Sequence, residues 1–112
     1  AQGSNPWIYG NKVLRNISGG IKCENTSPAI SNNFIFNNHL YGIHLSGGDA
    51  AYANPVINDN IIGSSDYTTG GIGIYMTNFA EPRVIANDIY QCEFGIWIDP
   101  NAQPSILGND IS

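Results

Sequence analysis

Apolar residues recur along the chain at fixed distances from five prolines, which are Pro6, Pro28, Pro55, Pro82 and Pro104. Two positions after each proline stands an aliphatic residue: Ile8, Ile30, Ile57, Val84 or Ile106. Seven positions after it stands another: Val13, Ile35, Ile62, Ile89 or Ile111. The prolines are 22, 27, 27 and 22 residues apart. The pattern predicts one domain, residues 1–112, whose repeats start near residues 5, 27, 54, 81 and 103.

A second element lies between successive prolines and reads GIKC at Gly20, GIHL at Gly42, GIYM at Gly73 and GIWI at Gly95. Apolar and variable residues alternate in each copy, which is the period of a β-strand. The predicted inward residues are Ile21 and Cys23, Ile43 and Leu45, Ile74 and Met76, and Ile96 and Ile98. No helical period is long enough to predict a helix, so the chain is expected to be all-β.

The proline element must bend, because its two aliphatic positions differ by an odd number of residues. A single straight strand cannot point both to the same side. The residue four positions after the proline is Gly10, Asn32, Asp59, Ala86 or Gly108. Glycine, asparagine and aspartate tolerate the left-handed backbone conformation, which predicts a corner there. Ala86 departs from this rule, and we expect it to be strained by about 1–2 kcal/mol.

Three short strands in each repeat, with apolar positions in register, are typical of a coil stacked on its own copies. The chain from Asn5 to Ser112 resembles the right-handed parallel β-helix of the pectate-lyase-like fold, and in particular its PbH1-repeat and NosD-like members. The repeats predict about four and a half coils. Chain ends in this family are often covered by an amphipathic helix, but this sequence has no helical period, so no helical cap is expected. Right-handed crossovers are also the general preference. Because this fold hosts lyases, hydrolases, epimerases, adhesins and phage spikes, the resemblance alone does not specify a function.

An asparagine stands five positions after every proline: Asn11, Asn33, Asn60, Asn87 and Asn109. After the predicted corner these side chains point inward, where an amide that lacks a hydrogen-bond partner is costly. Stacked at the ~4.8 Å spacing of neighbouring strands, each amide can bond to the next. The interpretation is a structural asparagine ladder. A catalytic role would require one asparagine to differ from the others, and none does.

Composition and charge exclude several classes of function. The formal charge is −5, and the four cationic residues are scattered, which argues against a nucleic-acid partner. No apolar run approaches the ~20 residues of a membrane span.

Two cysteines do not form a disulfide framework, and Cys23 is expected in the core and Cys92 at a turn. Two glycosylation sequons are weak signals in so asparagine-rich a chain. The expected location is extracellular or at the cell surface, with the periplasm as an alternative.

The outward positions of the Gly-Ile strand form two columns that vary between repeats. One contains Lys22, His44, Tyr75 and Trp97, and the other contains Glu24, Ser46, Thr77 and Asp99. Aromatic rings between hydrogen-bonding groups suit sugars, whose faces are apolar and whose edges carry hydroxyl groups. The hypothesis is a shallow carbohydrate-binding groove centred on His44, Tyr75 and Trp97, with Lys22, Thr77 and Asp99 beside them. Alternatively, these residue types simply favour exposed strand surfaces.

Catalysis has weaker support. Glu24 and Asp99 are three strands apart, or ~14 Å at ~4.8 Å per strand, whereas glycosidase carboxylates are ~5 to ~9.5 Å apart. The loop residues Asp49 and Asp66 could approach His44 or Tyr75. No acidic or metal-ligand cluster appears, and no cofactor is expected. The leading interpretation is a non-catalytic extracellular module, and the alternative is a minimal carbohydrate-active enzyme of the lyase, epimerase or hydrolase type.

Self-association is the expected partner relationship, besides a polysaccharide. The chain begins almost directly in a repeat and ends within one, so either it belongs to a longer protein or its ends pair with other copies. Further outward positions are apolar: Trp7, Tyr9, Phe34, Val56, Ile61 and Ile85. These features predict an end-to-end or a lateral homo-oligomer.

Overall fold

The computed structural model describes residues 7–17, 19–24, 27–47, 55–63, 71–77, 81–99 and 101–112. Within these ranges the chain forms fourteen β-strands and no helix. The described part accordingly contains no helix that is long and apolar enough to cross a membrane.

The strands form three parallel sheets, and each repeat contributes one strand to each sheet in turn. The first sheet contains β1 (Trp7–Tyr9), β4 (Ala29–Ser31), β7 (Val56–Asn58), β10 (Arg83–Ile85) and β13 (Ser105–Leu107). The second contains β2 (Lys12–Leu14), β5 (Phe34–Phe36), β8 (Ile61–Gly63), β11 (Asp88–Tyr90) and β14 (Asp110–Ile111). The third contains β3 (Ile21–Glu24), β6 (Tyr41–Ser46), β9 (Ile72–Thr77) and β12 (Phe94–Ile98).

Every strand pairs in parallel with its counterpart one repeat away, so the chain winds as a parallel β-helix. Ile30 lies between Ile8 and Ile57 in the first sheet, and the prediction of an all-β repeat fold is confirmed. The proline element supplies the first two strands of each coil and the Gly-Ile element supplies the third. These third strands start within one residue of the predicted glycine.

The core contains one column of apolar side chains from each of the first two sheets and two columns from the third. Ten apolar side chains are at most 1% exposed: Ile30, Ile35, Ile43, Leu45, Ile57, Ile62, Ile74, Met76, Val84 and Ile89. The predicted inward residue Ile98 is 41% exposed because it belongs to the edge strand β12, although it is in register with Met76. Burial of these side chains is the main source of stability, at about 1.5–3 kcal/mol for each large aliphatic residue.

The first corner of each coil has the predicted left-handed backbone. The φ angles are 70° at Gly10, 55° at Asn32, 58° at Asp59, 54° at Ala86 and 68° at Gly108. Ala86 therefore has the left-handed backbone on which the expected strain depends. A second corner follows the second strand, where the sequence predicts a turn but not a left-handed residue. The φ angles there are 57° at Arg15, 57° at Asn37 and 58° at Gln91.

The asparagine that follows the first corner is bonded to the adjacent coils. Asn60 donates from Nδ2 to Asn87 Oδ1 at 2.9 Å, and its Oδ1 accepts from both the backbone N–H and the Nδ2 of Asn33. The same Nδ2 also donates to the carbonyl of Ile30 at 2.9 Å. Asn33, Asn60 and Asn87 are at most 2% exposed. Such burial is tolerable because the donors and acceptors of these amides have partners.

A shorter version of this arrangement follows the second corner. Asn16 donates from its backbone and side-chain nitrogens to Asn38 Oδ1, and Asn38 Nδ2 donates to the carbonyl of Val13. Cys92 stands at the corresponding position of the fourth coil, where its thiol donates to the carbonyl of Tyr90 at 3.6 Å. Burial raises the pKa of Cys92 to about 11.

Both cysteines are free thiols, and Cys23 lies in the core as predicted. Burial raises the pKa of the Cys23 thiol above its ordinary value. Both thiols therefore remain protonated at neutral pH, and neither has the thiolate character of a reactive cysteine.

Replacing the strained corner alanine should stabilise the protein. Ala86→Gly removes a left-handed strain of about 1–2 kcal/mol, whereas the added flexibility of glycine in the unfolded chain costs about 0.5–1 kcal/mol. The expected net gain is about 0.5–1 kcal/mol in the free energy of unfolding, measured by chemical denaturation. The control is Ala29→Gly within β4, which should destabilise. Destabilisation by Ala86→Gly would contradict the strain.

Candidate functional site

The outer face of the third sheet carries the predicted site residues side by side. The strand register aligns Lys22 with His44, His44 with Tyr75, and Tyr75 with Trp97. Core residues alternate with them, since Cys23, Leu45 and Met76 point to the opposite side. Adjacent parallel strands lie ~4.8 Å apart. The four side chains therefore form one column along the axis of the coil.

Five rings touch in sequence on this face, and we call them the aromatic row: Tyr41, His44, Tyr75, Trp97 and Phe94. Ring centroids are 5.3 Å apart for Tyr41 and His44 and 4.7 Å apart for His44 and Tyr75. They are 6.1 Å apart for Tyr75 and Trp97 and 4.8 Å apart for Trp97 and Phe94. The contacts form one uninterrupted chain across β6, β9 and β12.

The two ends of the aromatic row differ in what they offer a ligand. His44 and Tyr75 lie at an interplanar angle of 21°, so each ring covers one face of the other. Trp97 meets Tyr75 at 70° and Phe94 at 66°, and among the described rings none lies parallel to the indole. Trp97 is 44% exposed and Phe94 is 43% exposed. The accessible aromatic surface is therefore at the Trp97 end.

Tyr41 and Phe94 are members of the row that the sequence analysis missed. Each stands directly before a Gly-Ile pair, two residues before an inward isoleucine. In a straight strand, both side chains would therefore point into the core. The chain turns just before β6, where Leu40 has a φ of 70°. Simple alternation therefore does not hold at the start of the strand. An aromatic residue immediately before the Gly-Ile pair, in the second and fourth copies, was the available signal.

The neighbouring polar column differs from its prediction at Thr77. This residue is only 8% exposed, and its Oγ1 lies 3.1 Å from His44 Nε2. Thr77 thus holds the imidazole in place beneath the surface and is not an outward ligand-binding group. Asp99 is half-buried, and its backbone N–H donates to the carbonyl of Met76 at 2.9 Å. Asp99 directly follows the last residue of β12, two positions after Trp97.

One exposed ion pair lies on this face. Lys22 Nζ lies 3.0 Å from Glu24 Oε1, and both side chains are at least half exposed. The contact raises the pKa of Lys22 and lowers the pKa of Glu24, mainly through the hydrogen bond and then through the charges. Exposed pairs of this kind contribute little to stability. The pair lies on β3, so it marks the polar end of the column.

His44 is the imidazole of the aromatic row. Burial lowers its pKa below the ordinary value and the nearby Lys22 lowers it further, while Glu24 has the opposite effect. The ring is therefore neutral at physiological pH. In that state it stacks on Tyr75, and Nε2 shares a proton with the hydroxyl of Thr77 in a direction that the tautomer decides.

The described part of this face offers no arrangement of groups that is typical of catalysis or of a metal site. Glu24 ends one edge strand of the sheet and Asp99 follows the other, and Glu24 is already paired with Lys22. Among the described residues, no three His, Cys, Asp or Glu side chains gather as metal ligands. The predicted loop candidates Asp49 and Asp66 lie outside the described residues.

Fold and site together define a parallel β-helix that carries an aromatic surface on one of its three sheets. A comparison with protein families gives one match over residues 1–112, to the family described as periplasmic copper-binding protein (NosD). The chain therefore belongs to the NosD family. The periplasmic description agrees with the predicted location outside the cytoplasm. No curated protein and no solved structure matches the chain significantly.

Acid should destabilise the protein through His44. The pKa of His44 is lower in the folded state than in the unfolded state. Between these two pKa values the unfolded state binds more protons, so the free energy of unfolding falls as the pH drops below about 6.5. His44→Phe keeps a ring beside Tyr75 but cannot titrate, so it should flatten this dependence. The measurement is urea unfolding at a series of pH values, with His39→Gln as the control that retains His44. An unchanged pH dependence in His44→Phe would contradict the assignment.

Proposed function

We propose that this protein is a non-catalytic β-helix module outside the cytoplasm that binds a carbohydrate along the aromatic row. The observation that carries the proposal is the unbroken chain of ring contacts that ends at the partly exposed Trp97 and Phe94. Large aromatic surface is usually buried, and a contiguous exposed patch of it is characteristic of a binding site.

The chemistry of the face favours a sugar as the ligand. One face of a pyranose ring is apolar and packs against an indole, while its equatorial hydroxyl groups need donors and acceptors at the edge. Here Asp99 follows β12, the strand that carries Trp97, and the Lys22–Glu24 pair lies on β3 at the opposite edge of the sheet. The His44–Tyr75 stack, which Thr77 fixes, supports the Trp97 end. A flat face of this kind fits an extended polymer better than a small molecule, which needs a concave pocket.

Copper, which the family description names, requires a test against these residues. Copper prefers imidazole, thiolate and thioether ligands. Cys23 and Met76 are buried in the core, Cys92 has a raised pKa, and His44 Nε2 faces the hydroxyl of Thr77. His39 is the other imidazole, and among the described residues no three His, Cys, Asp or Glu side chains gather where a metal could bind. These residues therefore do not fit a copper site, and no part of the proposed function depends on the metal.

Mutation of the indole tests the carbohydrate proposal. Trp97→Ala should weaken binding to a polysaccharide selected from a glycan array by about tenfold or more, because stacking on one aromatic ring contributes about 0.5–1.5 kcal/mol beyond the burial of its area. The measurement is isothermal titration calorimetry with the selected polysaccharide, and reducing ends and unsaturated sugars are assayed in the same mixtures.

The matched control is Trp7→Ala. This indole is 71% exposed but lies on the first sheet, away from the row, so its removal should leave the affinity unchanged. Equal losses in both variants, or no binding to any glycan, would contradict the proposal. Appearance of a product would favour the minimal carbohydrate-active enzyme over a binding module.

The proposal also assigns the asparagines a structural role. We propose that Asn11, Asn33, Asn60, Asn87 and Asn109 form the predicted ladder within about four and a half right-handed coils. The hydrogen bonds of Asn60 with Asn33 and Asn87 support this role, since one side chain satisfies groups of the coil on either side. Exposure decreases from Asn11 towards the centre, where Asn60 is 1% exposed.

Removing the central amide should destabilise the fold without affecting the ligand. Asn60→Leu leaves the backbone N–H of Asn33 without its acceptor. It also removes one hydrogen bond each from Asn33 Nδ2 and Asn87 Oδ1, which keep other partners. At about 1–3 kcal/mol for a buried orphan group, the expected loss is about 1–3 kcal/mol in the free energy of unfolding. Asn11→Leu, at the exposed end, should cost clearly less. A large loss of glycan affinity in the folded fraction of Asn60→Leu would contradict a structural role.

Self-association completes the proposal. Beyond the aromatic row, large apolar side chains remain exposed on the other two sheets, among them Trp7, Tyr9, Phe34 and Ile61. Exposed apolar residues in this number favour a protein contact, and a second copy of the chain is the partner proposed.

A further inference from the structure

The outer face of the second sheet carries an apolar patch with charges at its ends, and we call it the lateral face. Its first column runs across the sheet from β2 to β14 as Lys12, Phe34, Ile61, Asp88 and Asp110. The register is continuous, so these five side chains stand one strand apart on the same side. The column is therefore positive at one end, apolar in the middle and negative at the other end.

The middle of the lateral face is a continuous aromatic and aliphatic surface. The rings of Phe34 and Phe36 stack with centroids 4.9 Å apart, and Phe36 meets Tyr90 edge to face at 5.2 Å. The last contact passes over Gly63 of the intervening strand, where a Cβ would lie 2.7 Å from the Phe36 ring. Phe34 is 37% exposed and Ile61 is 39% exposed, so the centre of this surface is open to a partner.

Within the described residues, the charged side chains of this column form no ion pair. In the described ranges the structure contains a single ion pair, Lys22–Glu24, which lies on the third sheet. Lys12 and Asp88 are separated by the two apolar residues of the column, at ~14 Å for three strand spacings of ~4.8 Å. Their arrangement is self-complementary only when two copies face each other in opposite directions, since a parallel arrangement would place Lys12 on Lys12 and Asp88 on Asp88.

We propose that two copies of this chain associate through the lateral face with their coil axes antiparallel. The two-fold axis lies between Phe34 and Ile61, so that Phe34 of each copy packs on Ile61 of the other. The same axis places Lys12 of each copy opposite Asp88 of its partner and gives two intermolecular ion pairs. Asp110 extends beyond the paired region. This assignment rests on the self-association part of the proposed function and is independent of the carbohydrate.

The size of the face sets the strength of the contact. Five strands at ~4.8 Å and three residues at ~3.3 Å cover a footprint of about 19 by 10 Å, well below the ~800 Å² per partner of a standard stable interface. The dimer is therefore weak and depends on concentration. Two exposed ion pairs are then a substantial part of its free energy of association, which makes their reversal a sensitive probe.

Charge reversal with reciprocal rescue tests the proposal by sedimentation velocity over a concentration series at low salt. Lys12→Glu and Asp88→Lys should each raise the dimer dissociation constant about tenfold, because each converts two attractions into repulsions. The double variant Lys12→Glu/Asp88→Lys restores opposite charges and should return to within about threefold of the unmodified protein. Both positions are exposed at the ends of strands, so the fold should tolerate the changes, which circular dichroism verifies.

Matched controls distinguish an effect of the lateral face from an effect of net charge. Arg83→Glu changes the charge as Lys12→Glu does, but on the first sheet, and Glu93→Lys changes it as Asp88→Lys does, outside the lateral face. Both should leave the dissociation constant unchanged. A monomer at every concentration would overturn self-association itself, whereas a dimer that is insensitive to Lys12→Glu and Asp88→Lys would overturn only the lateral face. Weakening in both single variants without rescue in the double variant would overturn the antiparallel pairing.

Discussion

The whole fold depends on one geometric constraint: after only three residues of strand, the chain must turn a corner and still arrive in register above the previous coil. A single residue in the left-handed conformation makes that turn, and the next residue is an asparagine that bonds to the adjacent coils. Because left-handed backbone costs free energy for most residues, the corner limits which residues fit, as the strained Ala86 shows. The aliphatic core follows from the corners, since they determine which side chains point inward.

The same register that stacks the corners also stacks every outward side chain, and this decides where a function can lie. A residue that repeats in each coil stabilises the fold, whereas a residue that varies from coil to coil can contribute to a binding surface. The third sheet uses this freedom to bring His44, Tyr75 and Trp97 into contact. The second sheet brings Phe34, Phe36 and Tyr90 together in the same way. Two different faces with two different chemistries thus arise from one backbone pattern.

The repeat, the first corner and the inward asparagines were predictable because each rests on a residue type that one backbone conformation or one buried amide requires. The left-handed residue of the second corner was not, because Arg15, Asn37 and Gln91 share a left-handed backbone but no side-chain chemistry that indicates it. Parity placed Lys22, His44, Tyr75 and Trp97 in one column, yet it failed for Tyr41 and Phe94, which lie where the chain has just turned. Thr77 was expected at the surface, and only the packing of His44 over it reveals its burial.

The inter-coil bonds of the asparagines have a consequence for how such a protein can change. Asn11 bonds to Asn33 across 22 residues of chain, and Asn33 bonds to Asn60 across 27, with the same donor and acceptor atoms at 3.2 and 3.0 Å. The extra residues of the longer coil therefore do not change the hydrogen bonds that join it to the next coil. Segments between strands can be lengthened, shortened or exchanged without shifting the strand register of the coils that follow. In a β-helix, the surface residues of one coil can change while the backbone of every coil stays the same. New binding specificities can therefore evolve in one coil at a time.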